Sequence, residues 1–269
     1  MSNCSEGCTR SSCEGCPSRE NASFAEPMNK ESNIHHVIGI VSGKGGVGKS
    51  STTALLAVYL RQQGYRVGIL DADITGPSIP KMFGATTIPG VIGENMVPAE
   101  TETGIKVISI NLLLENEDEP VIWRGPVLAG VVKQFWNQVN WGSRDIMFID
   151  MPPGTGDVPL TVFQSLHVDG VVIVTSPQQL VGLIVEKAVN MAKMMEIPVV
   201  GIVENMSYFE CPKCGERHAV LGESNVEEVA NRHGIPVVCK LPIAPLYASA
   251  ADAGKVDELD ASPLAPLLG

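Results

Sequence analysis

Short apolar runs alternate with amphipathic stretches of helical period along the chain from His36 onward. The apolar runs predict buried strands at Val37–Ser42, Val67–Asp71, Val107–Ile110, Ile146–Asp150, Val171–Thr175, Val199–Glu204 and Val237–Leu241. The stretches between them predict helices at about Lys49–Gln63, Pro126–Gln138, Gln178–Met195 and Asn225–His233. Continuous apolar strands are typical of sheets that helices cover on both faces, so we predict an α/β fold with a mostly parallel sheet of about seven to eight strands.

Two segments depart from this alternation. Residues 1–33 are polar, rich in Ser, Glu and Asn, and without helical or strand period, which predicts a flexible arm that orders only around whatever its cysteines bind. Residues 34–269 are then one domain. Within that domain, the segment Thr86–Ile105 is rich in Gly, Pro and Thr and predicts a small hairpin outside the main alternation.

The composition narrows the partners of this domain. The chain has 269 residues, 44% of them hydrophobic, which is enough for one full α/β core. Its net charge of −11 disfavours both a nucleic-acid partner and an anionic membrane surface. No apolar run approaches the length of a membrane span, and Met1–Phe24 lacks the apolar region of a signal peptide. We therefore expect a cytoplasmic protein that binds neither nucleic acid nor membrane.

The first predicted strand leads directly into a glycine-rich loop. The segment GKGGVGKS satisfies the pattern G-x-x-x-x-G-K-[ST] between a strand and a helix. Its glycines let backbone N–H groups surround phosphate oxygens, while Lys49 would reach the β- and γ-phosphates and the Ser50 hydroxyl would bind Mg²⁺. We predict a P-loop nucleotide hydrolase whose nucleotide contacts are Gly43, Lys44, Gly45, Gly46, Val47, Gly48, Lys49, Ser50 and Ser51.

Lys44 is a second lysine, which an ordinary phosphate cradle does not require. With this residue the loop resembles the deviant Walker A group, the family of MinD, ParA and the nitrogenase iron protein. The resemblance implies that Lys44 reaches across a homodimer to the partner's nucleotide. Hydrolysis would then depend on dimerisation, in the manner of an arginine finger that acts in trans. The alternative is a solvated loop lysine.

Acidic residues follow two of the predicted strands. Asp71 and Asp73 come at the end of one strand, and Asp150 ends another before the segment MPPGTGD. Because the carboxyl ends of parallel strands meet at the ligand crevice, Asp150 is predicted to act in the Mg²⁺ shell. The family resemblance adds that Asp73 positions or activates the attacking water, with Asp71 in the second shell of the magnesium. An aspartate at a strand end is also a common turn former, and for Asp71 that alternative stays open.

Asn205 follows the predicted strand Val199–Glu204. In the resembled family an asparagine at this place hydrogen-bonds the adenine edge, which implies ATP as the nucleotide. The sequence has no guanine-type NKxD signature. A turn asparagine is the alternative.

Cys211 and Cys214 form a C-x-x-C pair whose spacing lets two thiolates bind one metal centre. Two thiolates do not complete a four-sulfur site, but a two-fold axis would bring a second pair to it. Together with GKGGVGKS and DMPPGTGD, the segment ENMSYFECPKCG resembles the Mrp/ApbC family of iron–sulfur cluster carrier ATPases, over roughly residues 34 to 255. The resemblance implies ATP, Mg²⁺, and one 4Fe–4S cluster that bridges a homodimer and passes to apo iron–sulfur proteins.

The arm carries a separate set of four cysteines, Cys4, Cys8, Cys13 and Cys16. Four thiolates within a short segment complete one 4Fe–4S or one zinc site. Ligand identity does not separate these metals, and zinc is also the alternative at Cys211 and Cys214. Cys239 lies in apolar surroundings and is predicted to be a small buried side chain.

Two other functions fit parts of this pattern. A partition ATPase of the MinD or ParA type, with structural zinc, would need a membrane helix or a basic DNA surface, which the acidic, proline-containing tail after Lys255 does not supply. An electron-transfer reductase like the nitrogenase iron protein would bridge its cluster through two widely separated cysteines rather than a C-x-x-C pair.

Overall fold

The computed structural model describes residues 26–73, 79–85, 90–93, 95–113, 125–154, 156–177 and 181–267. The four arm cysteines Cys4, Cys8, Cys13 and Cys16 lie outside the described residues. The strands are β1 (Asn33–Val41), β2 (Val67–Asp71), β3 (Gly90–Ile92), β4 (Asn95–Val97), β5 (Ala99–Glu100), β6 (Lys106–Ser109), β7 (Ser143–Asp150), β8 (Gly170–Thr175), β9 (Val199–Glu210), β10 (Arg217–His218) and β11 (Val238–Pro242).

Seven of these strands form a parallel sheet in the order β11-β9-β8-β1-β7-β2-β6. They correspond to the seven apolar runs of the sequence, so the predicted α/β fold is confirmed. Two strands of two residues each, β5 and β10, extend the sheet with antiparallel pairing. The antiparallel pair β3 and β4 forms the hairpin expected within the glycine- and proline-rich segment.

Helices cover both faces of the sheet. They are α1 (Lys49–Gln62), α2 (Ile79–Met82), α3 (Gly125–Gln138), α4 (Asp157–Ser165), α5 (Val181–Met194), α6 (Val226–His233) and α7 (Pro245–Asp252). One apolar cluster contains Phe135, Val185 and Val229 from α3, α5 and α6. The other contains Leu56 of α1 and Leu264 of a C-terminal 3-10 turn. This layering leaves the carboxyl ends of the parallel strands on one edge, where the connecting loops can form a site.

Strand β9 differs from the prediction in a way that affects the site. The sequence predicts that it ends at Glu204, whereas it continues through Asn205 to Glu210. The continuous apolar run ends before Glu204, but pairing with β11 and β10 extends the strand. Asn205 therefore lies inside a strand, and Cys211 follows the end of that same strand.

Residues 26–32 lead into β1 and contact α3. The carbonyl of Glu26 accepts a hydrogen bond from the indole N–H of Trp136 at 3.1 Å, and its carboxylate lies 3.1 Å from Lys133. Asn29 donates its backbone N–H to the Trp136 carbonyl at 3.2 Å.

Among the described helices, none has the length and apolar character needed to cross a membrane.

Candidate functional site

The glycine-rich loop joins β1 to α1 and has the backbone form of a phosphate cradle. Gly46 and Gly48 have φ angles of 77° and 80°, a left-handed conformation that side chains rarely adopt. Lys49, Ser50 and Ser51 begin α1, and Gly48 precedes them without a side-chain capping bond. The first-turn N–H groups of α1 therefore donate no hydrogen bond to a capping side chain, so this helix end suits a phosphate group.

Neighbouring segments fix the loop in position. A Cβ atom at Gly43 would lie 2.1 Å from Cγ2 of Ile184, so only glycine lets the loop pack against α5 at this point. On the other side, the backbone N–H of Gly154 donates to the carbonyl of Ser42 at 2.8 Å. Lys44 is half-buried, whereas Gly45 and Gly46 are exposed. The hydroxyl of Ser42 is buried without a hydrogen-bond partner among the described residues.

Lys49 forms the centre of a buried charge cluster. Its ammonium lies 2.8 Å from Oδ2 of Asp150 and 3.2 Å from Oδ2 of Asp73. Burial alone would lower the pKa of Lys49, but the carboxylates of Asp150 and Asp73 outweigh it and raise that pKa above its usual value. Lys49 therefore stays charged, as a phosphate-binding lysine must.

Asp150 accepts hydrogen bonds from three side chains of α1. In addition to Lys49, the Ser50 hydroxyl donates to Oδ2 at 2.6 Å, and the Thr53 hydroxyl donates to Oδ1 at 2.7 Å. The Ser50 oxygen and the Asp150 carboxylate are hard oxygen donors side by side, which fits Mg²⁺. Thr53 was not identified from the sequence, although its position one turn after Ser50 places both hydroxyls on one helix face.

Asp71 is buried next to this cluster. Burial, and secondarily the charge of Asp150, raises the pKa of Asp71 to about 7. Its carboxylate accepts the backbone N–H groups of Asp73 at 3.0 Å and Ile79 at 3.3 Å, which lie on either side of the segment that follows β2. Asp71 thus orders the backbone around Asp73.

Asn205 contacts the loop itself. Its side-chain amide donates to the carbonyl of Val47 at 3.0 Å. A Cβ atom at Gly48 would lie 2.0 Å from the same amide nitrogen, so this approach also requires glycine. The residue predicted to contact the nucleotide base is therefore adjacent to the phosphate loop.

Cys211 and Cys214 lie at the tip of an exposed hairpin between β9 and β10. The backbone N–H of Cys211 donates to the carbonyl of Glu216 at 2.9 Å, and that of Gly215 donates to the Cys211 carbonyl at 2.8 Å. Backbone hydrogen bonds from Lys213 and Cys214, together with the Cys214 side chain, lower the pKa of Cys211. A lowered thiol pKa favours the thiolate, the form that binds metals.

The structure thus brings Lys49, Ser50, Asp71, Asp73 and Asp150 together and keeps the cysteine pair apart from them. Cys239 is buried, as predicted, and burial raises the pKa of its thiol. Within the described part of the chain, no group of three or more His, Cys, Asp or Glu residues could hold a metal ion. The two hairpin thiols therefore need further ligands from elsewhere for a four-sulfur centre.

Comparison with known proteins gives a family match. A model of the ParA group described as "NUBPL iron-transfer P-loop NTPase" matches residues 33–266. An iron-sulfur cluster carrier protein of Clostridium perfringens is 44% identical, and the match covers 96% of this chain and 94% of the relative. Another, from Pyrococcus horikoshii, is 45% identical over 84% of this chain and 80% of the relative.

Solved structures agree with this match. One is a nucleotide-binding protein of Archaeoglobus fulgidus, solved in complex with ADP and with cobalt found in it. It is 46% identical to this chain with a TM-score of 0.77, and the match covers 84% of this chain and 89% of that chain. The cell division ATPase MinD of Pyrococcus furiosus is 19% identical, with a TM-score of 0.60 over 87% of this chain and 98% of that chain. The MinD likeness shows the shared fold.

Proposed function

The chain belongs to the ParA group's family of NUBPL iron-transfer P-loop NTPases, and on that premise we propose that it is an ATP-dependent carrier of a 4Fe–4S cluster. It would bind the cluster as cargo and transfer it to apo iron–sulfur proteins. One observation carries the proposal: a glycine-rich loop with a buried charged lysine shares a domain with a hairpin that carries two thiols, one of them exposed and the other with a lowered pKa.

The nucleotide half of the proposal follows from the charge cluster. Phosphate oxygens would compete with Asp150 and Asp73 for the Lys49 ammonium, which stays positive because its pKa is raised. Ser50 and Asp150 would hold Mg²⁺, which neutralises phosphate charge when bound. Asp73 would then be released to position the attacking water. Lys44 of a second copy would supply the remaining positive charge in trans.

The cargo half follows from the hairpin. Two thiolates from each of two copies would complete four sulfur ligands, so we propose a homodimer with one bridging cluster. Exposure of Cys214 would leave the cluster accessible to a recipient protein. For Cys4, Cys8, Cys13 and Cys16 we keep two alternatives, a further 4Fe–4S cluster or zinc on each arm.

Anaerobic reconstitution with iron and sulfide tests the proposal. The double variant Cys211→Ala/Cys214→Ala should lose the bridging cluster, seen as about two iron atoms fewer per protomer and a weaker visible absorption band. A background in which all four arm cysteines are alanine separates the two sites. Cys239→Ala is the matched control, because it removes a buried cysteine outside the hairpin and should leave the cluster intact.

Transfer is measured by incubating the loaded protein with an apo-enzyme that needs a 4Fe–4S cluster for activity, with and without ATP. Recovery of that activity, lost in the hairpin double variant, supports the carrier function. A colourless protein that holds stoichiometric zinc after reconstitution would contradict it and would favour an ATPase with structural metal.

A further inference from the structure

Strand β9 carries a bulge between the nucleotide site and the cysteine hairpin. Glu204 pairs with Lys240 of β11, and Tyr208 pairs with Pro242, so β9 advances four positions while β11 advances two. The extra residues belong to the segment Asn205–Ser207. A bulge of this kind releases part of a strand from its ladder and redirects the side chains that follow.

The middle residue of the bulge is strained. Met206 has a φ angle of 56°, a left-handed conformation that costs free energy for a residue with a side chain. Around it, the Ser207 hydroxyl donates to Oε1 of Glu204 and closes the bulge from one side to the other. The second oxygen of Glu204, Oε2, is buried without a hydrogen-bond partner among the described residues. The strain at Met206 and the unpaired oxygen of Glu204 both raise the free energy of this bulge conformation, so another conformation of the bulge can lower it.

The two ends of the bulge belong to different sites. Before Met206, Asn205 donates to the carbonyl of Val47 in the phosphate loop. After Ser207, Tyr208 and Glu210 of β9 contact Arg217 of β10, whose guanidinium lies 4.4 Å from the Tyr208 ring centre and whose Nε lies 2.9 Å from the Glu210 carboxylate. These contacts tie the base of the hairpin together, so Cys211 and Cys214 are expected to move with the end of β9.

We propose that the bulge Asn205–Ser207 positions the cysteine hairpin according to the state of the nucleotide site, with Met206 and Ser207 as positioning residues. Nucleotide in the loop displaces or reorients Asn205, because the Asn205 amide is hydrogen-bonded directly to the Val47 carbonyl of that loop. The bulge transmits that shift along β9, and the environment of the two thiols changes. The inference rests on the proposed nucleotide-dependent carrier function and names the part of the chain that links its two sites.

The test measures thiol reactivity in the full-length, metal-free, reduced protein, with and without saturating Mg²⁺ and ADP. Alkylation rates at Cys211 and Cys214 are read peptide by peptide by mass spectrometry, with Cys239 as the buried internal reference. In the wild type, ADP should change the rates at the hairpin thiols by about fivefold or more, the lower end of ordinary coupling between two sites.

Two variants address the bulge. Met206→Gly removes the left-handed strain, and Ser207→Ala removes the hydrogen bond to Glu204. In each variant, the effect of ADP on the alkylation rates should fall below about twofold, while the Kd for ADP changes by less than about threefold. The matched control is Glu196→Gly, which relieves the same kind of strain at an exposed position with a φ of 57° after α5. This control should keep the full response.

The outcomes separate this inference from the proposed function. An ADP effect that is absent from the wild type, or equally large in both bulge variants, overturns the coupling even if the protein binds and transfers a cluster. An ADP effect that both bulge variants lose supports the coupling even if reconstitution yields only zinc, in which case the carrier function alone fails. Equal loss in Glu196→Gly would also contradict the inference, because the effect would then not depend on the bulge.

Discussion

Gly46 and Gly48 have nearly the same backbone conformation but different surroundings. Both are left-handed, yet a Cβ atom at Gly46 would have no neighbour within 4 Å, whereas one at Gly48 would lie 2.0 Å from the Asn205 amide. Gly46→Ala should therefore cost only backbone strain, about 1–2 kcal/mol of unfolding free energy. Gly48→Ala adds the displacement of Asn205 to the same strain.

Comparison of the Gly46→Ala and Gly48→Ala variants measures how much the contact between Gly48 and Asn205 contributes to ADP binding. We expect Gly48→Ala to weaken ADP binding by more than about tenfold relative to Gly46→Ala, which corresponds to about 1.4 kcal/mol. Calorimetric titration gives both affinities, and denaturant unfolding gives the backbone cost of each change. Equal affinities in the two variants would mean that Asn205 moves without effect on the nucleotide.

At the scale of elements, the sequence predicted the parallel strands and the phosphate loop because both depend on local pattern. It predicted neither the extension of β9 beyond Glu204 nor the helices α4 and α7. Asn205, Met206 and Ser207 lie beyond the continuous apolar run that predicted this strand, and the strand continues there because β11 and β10 supply pairing partners that are distant in sequence. The hydrogen bond from Thr53 to Asp150 joins positions 97 residues apart, so only the folded chain reveals it.

Strands β2 and β7 are joined at their amino ends by a surface pair. Arg66 donates its backbone N–H and its Nε to Oδ2 of Asp145, at 2.8 and 3.0 Å. These hydrogen bonds, from the side chain and then from the backbone, lower the pKa of Asp145 below its usual range. Since the folded-state pKa lies below the unfolded value, the pair stabilises the fold fully above about pH 4 and loses that effect as the pH falls further.

The variant Asp145→Asn tests the predicted direction of this pH dependence of stability. The variant should be less stable than the wild type at pH 7, and the difference in unfolding free energy should shrink as the pH falls below about 4, where the aspartate of the unfolded chain takes up a proton before that of the folded protein. Urea unfolding at several pH values provides the measurement. Asp252→Asn, at an exposed aspartate of α7, serves as the control and should show no such convergence. A constant difference at all pH values would contradict the assigned role of the Asp145 charge.

At the scale of the whole molecule, the described residues of one chain supply only part of the proposed cluster site. The hairpin offers two thiols, and Lys44 is a half-buried second lysine of the glycine-rich loop. A second copy related by a two-fold axis would supply two further thiols and a second Lys44 at once. A single dimer therefore accounts for both features, and the contribution of Lys44 in trans can be tested separately from the cysteines.

Mixing two inactive variants provides that test. The Lys44→Ala variant keeps Asp73, and the Asp73→Asn variant keeps Lys44. Each variant alone forms homodimers that should be defective in hydrolysis. If Lys44 acts like an arginine finger, the Lys44→Ala homodimer should lose about 10³-fold or more in rate. In an equal mixture, half of the dimers are mixed and each has one complete site, so about a quarter of wild-type ATPase activity should return. Activity that stays at the level of the separate variants, although mixed dimers form, would assign Lys44 to its own subunit's site.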